Sequence, residues 1–134
     1  MARIIDIEGI GQVYTEKLQE YGVRTTERLL KVAASKKGRE DLALRTGLSE
    51  TLILEWVNLA DLMRIRGIGS EYSDLLEEAG VDTVKELRNR RPDNLYSKLA
   101  EINDQKHLVR RVPSQKEVNS WVDQAKTLPP VITY

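Results

Sequence analysis

Ile7-Glu8-Gly9-Ile10-Gly11-Gln12-Val13-Tyr14, running on to Gly22-Val23-Arg24-Thr25, decides the fold, because the chain spells this pattern twice. The second copy is Ile65-Arg66-Gly67-Ile68-Gly69-Ser70-Glu71-Tyr72, running on to Gly80-Val81-Asp82-Thr83, at an offset of 58 in residue number. Each reads apolar-x-Gly-Ile-Gly, then a helical run, then Gly-Val-x-Thr. Two glycines around one apolar residue make a tight connection between helices, since glycine takes positive φ without penalty and lets another backbone come close. The isoleucine between them can turn inward and pin the loop. The second glycine leads directly into a helix, whose first backbone N–H groups have no intrahelical partner. Those donors and the helix dipole favour an anion such as a phosphate.

Outward from the first copy, Val13, Tyr14, Lys17, Leu18 and Tyr21 have helical spacing, and Gly22 stands where a helix should stop. Thr25 can cap a second helix with Leu29, Leu30, Val32 and Ala33 on its apolar face. Ser35 opens a third through Leu42 and Leu44, Gly47 stops it, and Ser49 caps a fourth through Met63. The fourth is expected to be the longest. Its apolar residues surround much of its circumference, so it should be buried on more than one side.

The pattern then restarts. Thr83-Val84-Lys85-Glu86 reads as a capping box, Pro92 can take the first position of a helix through Leu95, Leu99 and Ile102, and Ser114-Gln115-Lys116-Glu117 reads as another box. Allowing an insertion at 104–109, Trp56-Val57 and Ala60 match Trp121-Val122 and Ala125. The repeat is therefore a whole four-helix unit, 1–63 and then 64–134, ending in an extended tail after Pro129-Pro130. Strand-like alternation is confined to a weak hint in Arg3–Ile7. The last helix, Ser114–Thr127, is followed by no further hairpin. Val118, Trp121, Val122, Ala125 and Leu128 should then be covered by the tail Val131–Tyr134, by Ile4–Ile7, or by a second molecule, giving a monomer or a homodimer.

Gly-Ile-Gly … Gly-Val-x-Thr … Thr-Gly-Leu-Ser … Trp-Val-x-x-Ala resembles a unit of two consecutive helix-hairpin-helix motifs, the second degenerate at Gly47-Leu48-Ser49 and at Val112-Pro113-Ser114. Such units are similar to the N-terminal domain of RecA-like recombinases and to the C-terminal domain of the bacterial RNA polymerase alpha subunit. Over nearly its whole length the chain also resembles a bacterial family of tandem helix-hairpin-helix proteins catalogued as a domain of unknown function. The resemblance implies an all-α fold of two pseudo-symmetric (SAM-like) units and a role with DNA or RNA. It carries no catalytic residues.

Charge argues against a basic domain. The 21 basic and 21 acidic residues cancel, with 9 basic and 10 acidic up to Met63 and 12 and 11 beyond it. Binding through counterion release would need a local patch. The absence of cysteine leaves no disulfide framework and fits a cytoplasmic location. No signal peptide or membrane span is legible, so no membrane partner is expected. A third glycine of a dinucleotide loop is replaced by Tyr14 or Tyr72. His107 is the sole histidine, which removes a histidine pair for a metal and a triad. We expect no enzyme, no metal and no cofactor.

The expected function is non-catalytic, sequence-independent binding of a DNA or RNA backbone. The candidate contacts are Gly9, Ile10, Gly11, Gln12 and Lys17 in the first unit, and Arg64, Arg66, Gly67, Ile68, Gly69 and Ser70 in the second. Arg110 and Arg111 form a candidate basic patch. Glu71, facing the second helix start, makes that loop the poorer anion site, while Arg64 and Arg66 favour it. The alternative is a protein-interaction adaptor, consistent with zero net charge. Trp56, Trp121, Tyr14 and Tyr72 read as packing residues. Lys36, Lys37 and Arg39 read as offset by Glu40 and Asp41.

Overall fold

The computed structural model describes residues 2–134 and is all-helical. A 3-10 turn at Ile4–Asp6 precedes α1 (Gly11–Glu20), α2 (Thr26–Ala33), α3 (Lys36–Thr46), α4 (Glu50–Leu62), α5 (Ser70–Glu78), α6 (Val84–Leu87), α7 (Pro92–Lys106) and α8 (Gln115–Thr127). Among the described residues there is no strand, only an isolated antiparallel bridge between Arg3 and Thr25, which accounts for the alternation near Arg3. The chain divides into two units. One comprises Met1–Asp61 with Val131–Tyr134, the other Leu62–Pro130.

In the first unit the helix starts follow local hydrogen bonding. Thr25 Oγ1 accepts from the Arg28 N–H at 3.1 Å, Ser35 Oγ from Gly38 at 3.0 Å, and Ser49 Oγ from Leu52 at 3.1 Å. Each satisfies a donor that the helix leaves orphaned. Gly47, at φ 76°, ends α3. The buried face of α1 is Thr15 and Leu18, not the apolar spacing of the sequence. Val13 is 77% exposed, and Thr15 is admitted to the interior because its hydroxyl donates to Gly11 O at 2.7 Å. On α3, Leu44 is 84% exposed whereas Arg39 is 4% exposed. Arg39 does not form the expected solvated charge pair with its acidic neighbours. Its guanidinium donates to Ala33 O at 3.1 Å, Ala34 O at 2.8 Å and Thr133 O at 2.6 Å, and lies 5.8 Å from the centroid of the Tyr134 ring.

In the second unit one continuous core gathers Leu62, Ile65, Ile68, Leu75, Leu76, Leu87, Leu99, Val118, Trp121 and Val122, with further neighbours. Here α7, at 15 residues, exceeds the 13 of α4, so the fourth helix is not the longest. The expected insertion is partly an extension of α7, closed by His107 in the left-handed region at φ 51°. Asn103 then holds the returning chain, accepting from Val109 N–H at 2.9 Å and donating to Val109 O at 3.2 Å, which draws Val109 into the core. Only half of the capping box at Thr83 forms. Thr83 Oγ1 accepts from Glu86 N–H at 3.1 Å, but the Glu86 carboxylate takes the Arg90 guanidinium at 3.0 Å instead. The box at Ser114 and Glu117 is complete.

Each tryptophan meets a tyrosine in matching geometry. Tyr14 and Trp56 are 5.2 Å apart, centroid to centroid, at 52°, and Tyr72 and Trp121 are 5.2 Å apart at 53°. The α8 face Val118, Trp121, Val122 and Ala125 is already buried in the second unit's core. The tail instead bonds α2 and α3 through Thr133 N–H to Ala34 O at 2.9 Å and through Arg39. Ile4, for its part, donates its N–H to Arg24 O at 3.1 Å.

Candidate nucleic-acid interface

Both Gly-Ile-Gly loops share one backbone hydrogen bond. Ile10 N–H donates to Ile7 O and Ile68 N–H to Ile65 O, each at 3.2 Å. Ile10 and Ile68 are 2% and 4% exposed, while Gly9, Gly11, Gly67 and Gly69 are all exposed. The isoleucine anchors the loop and the glycines present backbone outward. At the far end, Val23 N–H donates to Leu18 O at 3.1 Å and Val81 N–H to Leu76 O at 2.9 Å, closing α1 and α5 in the same way.

Details differ between the loops. In the first, Gly11 is itself the first helical residue at φ 72°, and Gln12 donates to Glu16 at 3.0 Å. Lys17 stands in the last turn of α1, about 9 Å along the axis from Gly11 at 1.5 Å per residue. It lies 4.0 Å from Glu20, so it is not part of the loop. Exposed Glu8 stands directly before Gly9.

The second loop is held more firmly. Gln124 of α8 clamps the Arg66 peptide, accepting from its N–H at 2.9 Å and donating to its O at 3.0 Å. A Cβ added to Gly67, which has φ 98°, would stand 3.0 Å from Trp121 Nε1, so only glycine lets the loop rest on the indole. With its backbone fixed, the exposed Arg66 guanidinium has no ion-pair or hydrogen-bond partner among the described residues. Arg64 is different. Its Nη2 donates to Pro129 O at 3.0 Å, so it braces the chain after α8. Ser70 is the first residue of α5, and Glu71 beside it is exposed.

Tyr72 brings the Arg110-Arg111 segment to this loop. Its hydroxyl donates to Arg111 O at 2.8 Å. Arg111 itself forms a two-pronged pair with Glu117, at 2.7 and 3.0 Å, which lowers the Glu117 carboxyl to about 2 together with the Ser114 N–H. Burial raises the Tyr72 hydroxyl above its ordinary value, against the opposing charge of Arg111. Arg110 is exposed and has no partner among the described residues. Of the two arginines of the patch, Arg110 is open and Arg111 is neutralised. Gln124 was not foreseen; one polar residue on an amphipathic helix gives no sequence signal for a clamp.

Among the described residues no group of three or more His, Asp or Glu could hold a metal ion, and no helix is long and apolar enough to cross a membrane. Residues 8–128 match the family described as a domain of unknown function, DUF4332. No curated protein and no solved structure matches the chain.

Proposed function

The chain belongs to the DUF4332 family, a domain of unknown function, and we propose that it is a non-catalytic module that binds a nucleic-acid backbone without reading its sequence. It is composed, in this proposal, of two helix-hairpin-helix units. The observation that carries it is the pair of matched loops, each with a buried isoleucine between exposed glycines at the start of a helix. Backbone N–H groups at such a start suit a phosphate, and phosphate contacts position a ligand without specifying bases. The second loop is the principal contact, because the open guanidiniums of Arg66 and Arg110 accompany it, whereas Glu8 accompanies the first. The ligand is DNA or RNA, no cofactor takes part, and the working compartment is the cytoplasm.

A second reading, a protein-interaction adaptor, is favoured by exposed Val13 beside half-exposed Tyr14 just after the first loop. Fluorescence anisotropy with labelled single-stranded DNA, duplex DNA and RNA at two salt concentrations separates the two. Nucleic-acid binding should weaken steeply with salt, as for a few neutralised phosphates. Joint Arg66→Glu and Arg110→Glu substitution should weaken all sequences alike. If none of the three ligands binds at low salt, the adaptor reading replaces the nucleic-acid one.

A further inference from the structure

The first unit contains a cleft of about 250 Å³ away from the Gly-Ile-Gly loop, between the end of α1 and the helices α2 and α3. Val32 and Leu42 contribute apolar wall, Tyr21 a ring that is 43% exposed, and Arg28, Arg45 and Asp41 the charges. Asp41 is engaged by Lys37 at 3.5 Å. The guanidiniums of Arg28 and Arg45 have no hydrogen-bond or ion-pair partner among the described residues, although Arg28 uses its backbone N–H on Thr25. An apolar wall, an accessible ring and two uncommitted guanidiniums meet in one concavity.

The second unit makes a useful contrast. A cleft of about 300 Å³ there has Ala79 where the first has Tyr21, and Arg90 where the first has Val32, each pair 58 apart. Arg90 is committed to Glu86 at 3.0 Å and to Gly80 O at 3.1 Å. That cleft has no ring in its lining. Ring and free guanidiniums occur together in the first unit's cleft.

We infer that the first unit's cleft takes one unstacked nucleotide, its base against Tyr21 and its phosphate on Arg28 and Arg45, so that the preferred ligand is single-stranded. This rests on the nucleic-acid reading above and adds a ligand class to it. Stacking on an aromatic side chain tolerates any base, because every base has a π-face, and guanidiniums suit the flanking phosphate. A base paired within a duplex cannot enter a cleft of this size without leaving its stack.

The test uses the full chain with a labelled oligothymidine strand and the matching duplex. Wild type should bind the strand at least about ten-fold more tightly than the duplex at equal salt, as stacking of one base on the ring would give. Tyr21→Ala should weaken strand binding about ten-fold and duplex binding less than about two-fold, and Tyr21→Phe should restore the strand. Equal loss on both ligands, or no loss on either, overturns the inference. Arg45→Gln supplies a second variant at an exposed position, should Tyr21→Ala lower the melting temperature. It should reduce the salt dependence of strand binding by about one phosphate, and an unchanged slope counts against the site.

A readout independent of the loops is the amide NMR spectrum with AMP or inorganic phosphate. AMP should shift Val23, Gly38 and Leu42, and phosphate alone should leave Leu42 unmoved. Failure of AMP to shift these amides at millimolar concentration removes the cleft site even if the loops bind. Loop variants without effect, together with AMP shifts, would instead remove the loop reading and keep the cleft.

Discussion

Single residues show where local chemistry overrides pattern. Gly38 lies in the first turn of α3, and a Cβ built there would come 2.1 Å from Val32 O, which is backbone and cannot swing aside. Gly38→Ala should therefore cost about 1–3 kcal/mol, as an overpacked position does, measured by urea denaturation. Nothing in the sequence marks this glycine, because it sits inside a helical pattern, where glycine usually only weakens the helix. Glu117 offers a pH test. Its carboxyl is lowered from 4.5 to about 2, first by Arg111, so the folded state binds fewer protons than the unfolded one in that interval. Its contribution is present above the ordinary value and is lost as pH falls from there to about 2. Glu117→Gln should flatten that part of the acid dependence of the melting temperature. Thr15 and Arg39 were illegible for a common reason. A buried polar side chain satisfied by nearby carbonyls looks in sequence like a surface residue.

At the scale of elements, starts and stops were legible because capping is local. Thr25, Ser35, Ser49, Thr83 and Ser114 each accept an N–H three residues on, as their spacing implies. The candidate loops were legible as backbone geometry, since two glycines around an isoleucine permit few conformations. The side chains around them were not. Gln124, Tyr72 and Arg111 act across 39 to 58 residues of sequence, and pairing at such range has no periodic signature. The tyrosine–tryptophan contacts join α1 to α4 and α5 to α8, and both indoles are buried. Trp56→Ala and Trp121→Ala should each destabilise by ~3–5 kcal/mol, enough to threaten a domain of ordinary stability. A loss below about 1 kcal/mol at either site, by calorimetry or denaturant titration, would show that its helix pair does not depend on the indole.

At the scale of the whole molecule, balanced charge hides local asymmetry. The open guanidiniums of Arg28, Arg45, Arg66 and Arg110 are offset in the total by carboxylates elsewhere. The reach of the tail is the other whole-chain property that periodicity could not supply. Two prolines made it extended, but not where it would lie. Ending the chain after Pro130 should lower the melting temperature by several degrees, because Arg39 loses the Thr133 carbonyl and the Ala34 carbonyl after α2 loses the Thr133 N–H. Each such bond is worth about 1 kcal/mol, somewhat more when one partner is charged. An unchanged melting temperature would mean the tail rests on the first unit without stabilising it.

The tail also bears on the order in which the chain folds. The bond from Arg39 to Thr133 spans 94 positions, and all of Leu62–Pro130 lies between them. On a ribosome the first unit emerges first yet remains without its last four residues until the second has been made. Contacts of such sequence separation form late, since loop closure must precede them. The nascent first unit therefore carries Arg39 with two carbonyls instead of three throughout synthesis of the second, and closure of the tail signals that Leu62–Pro130 has already been made.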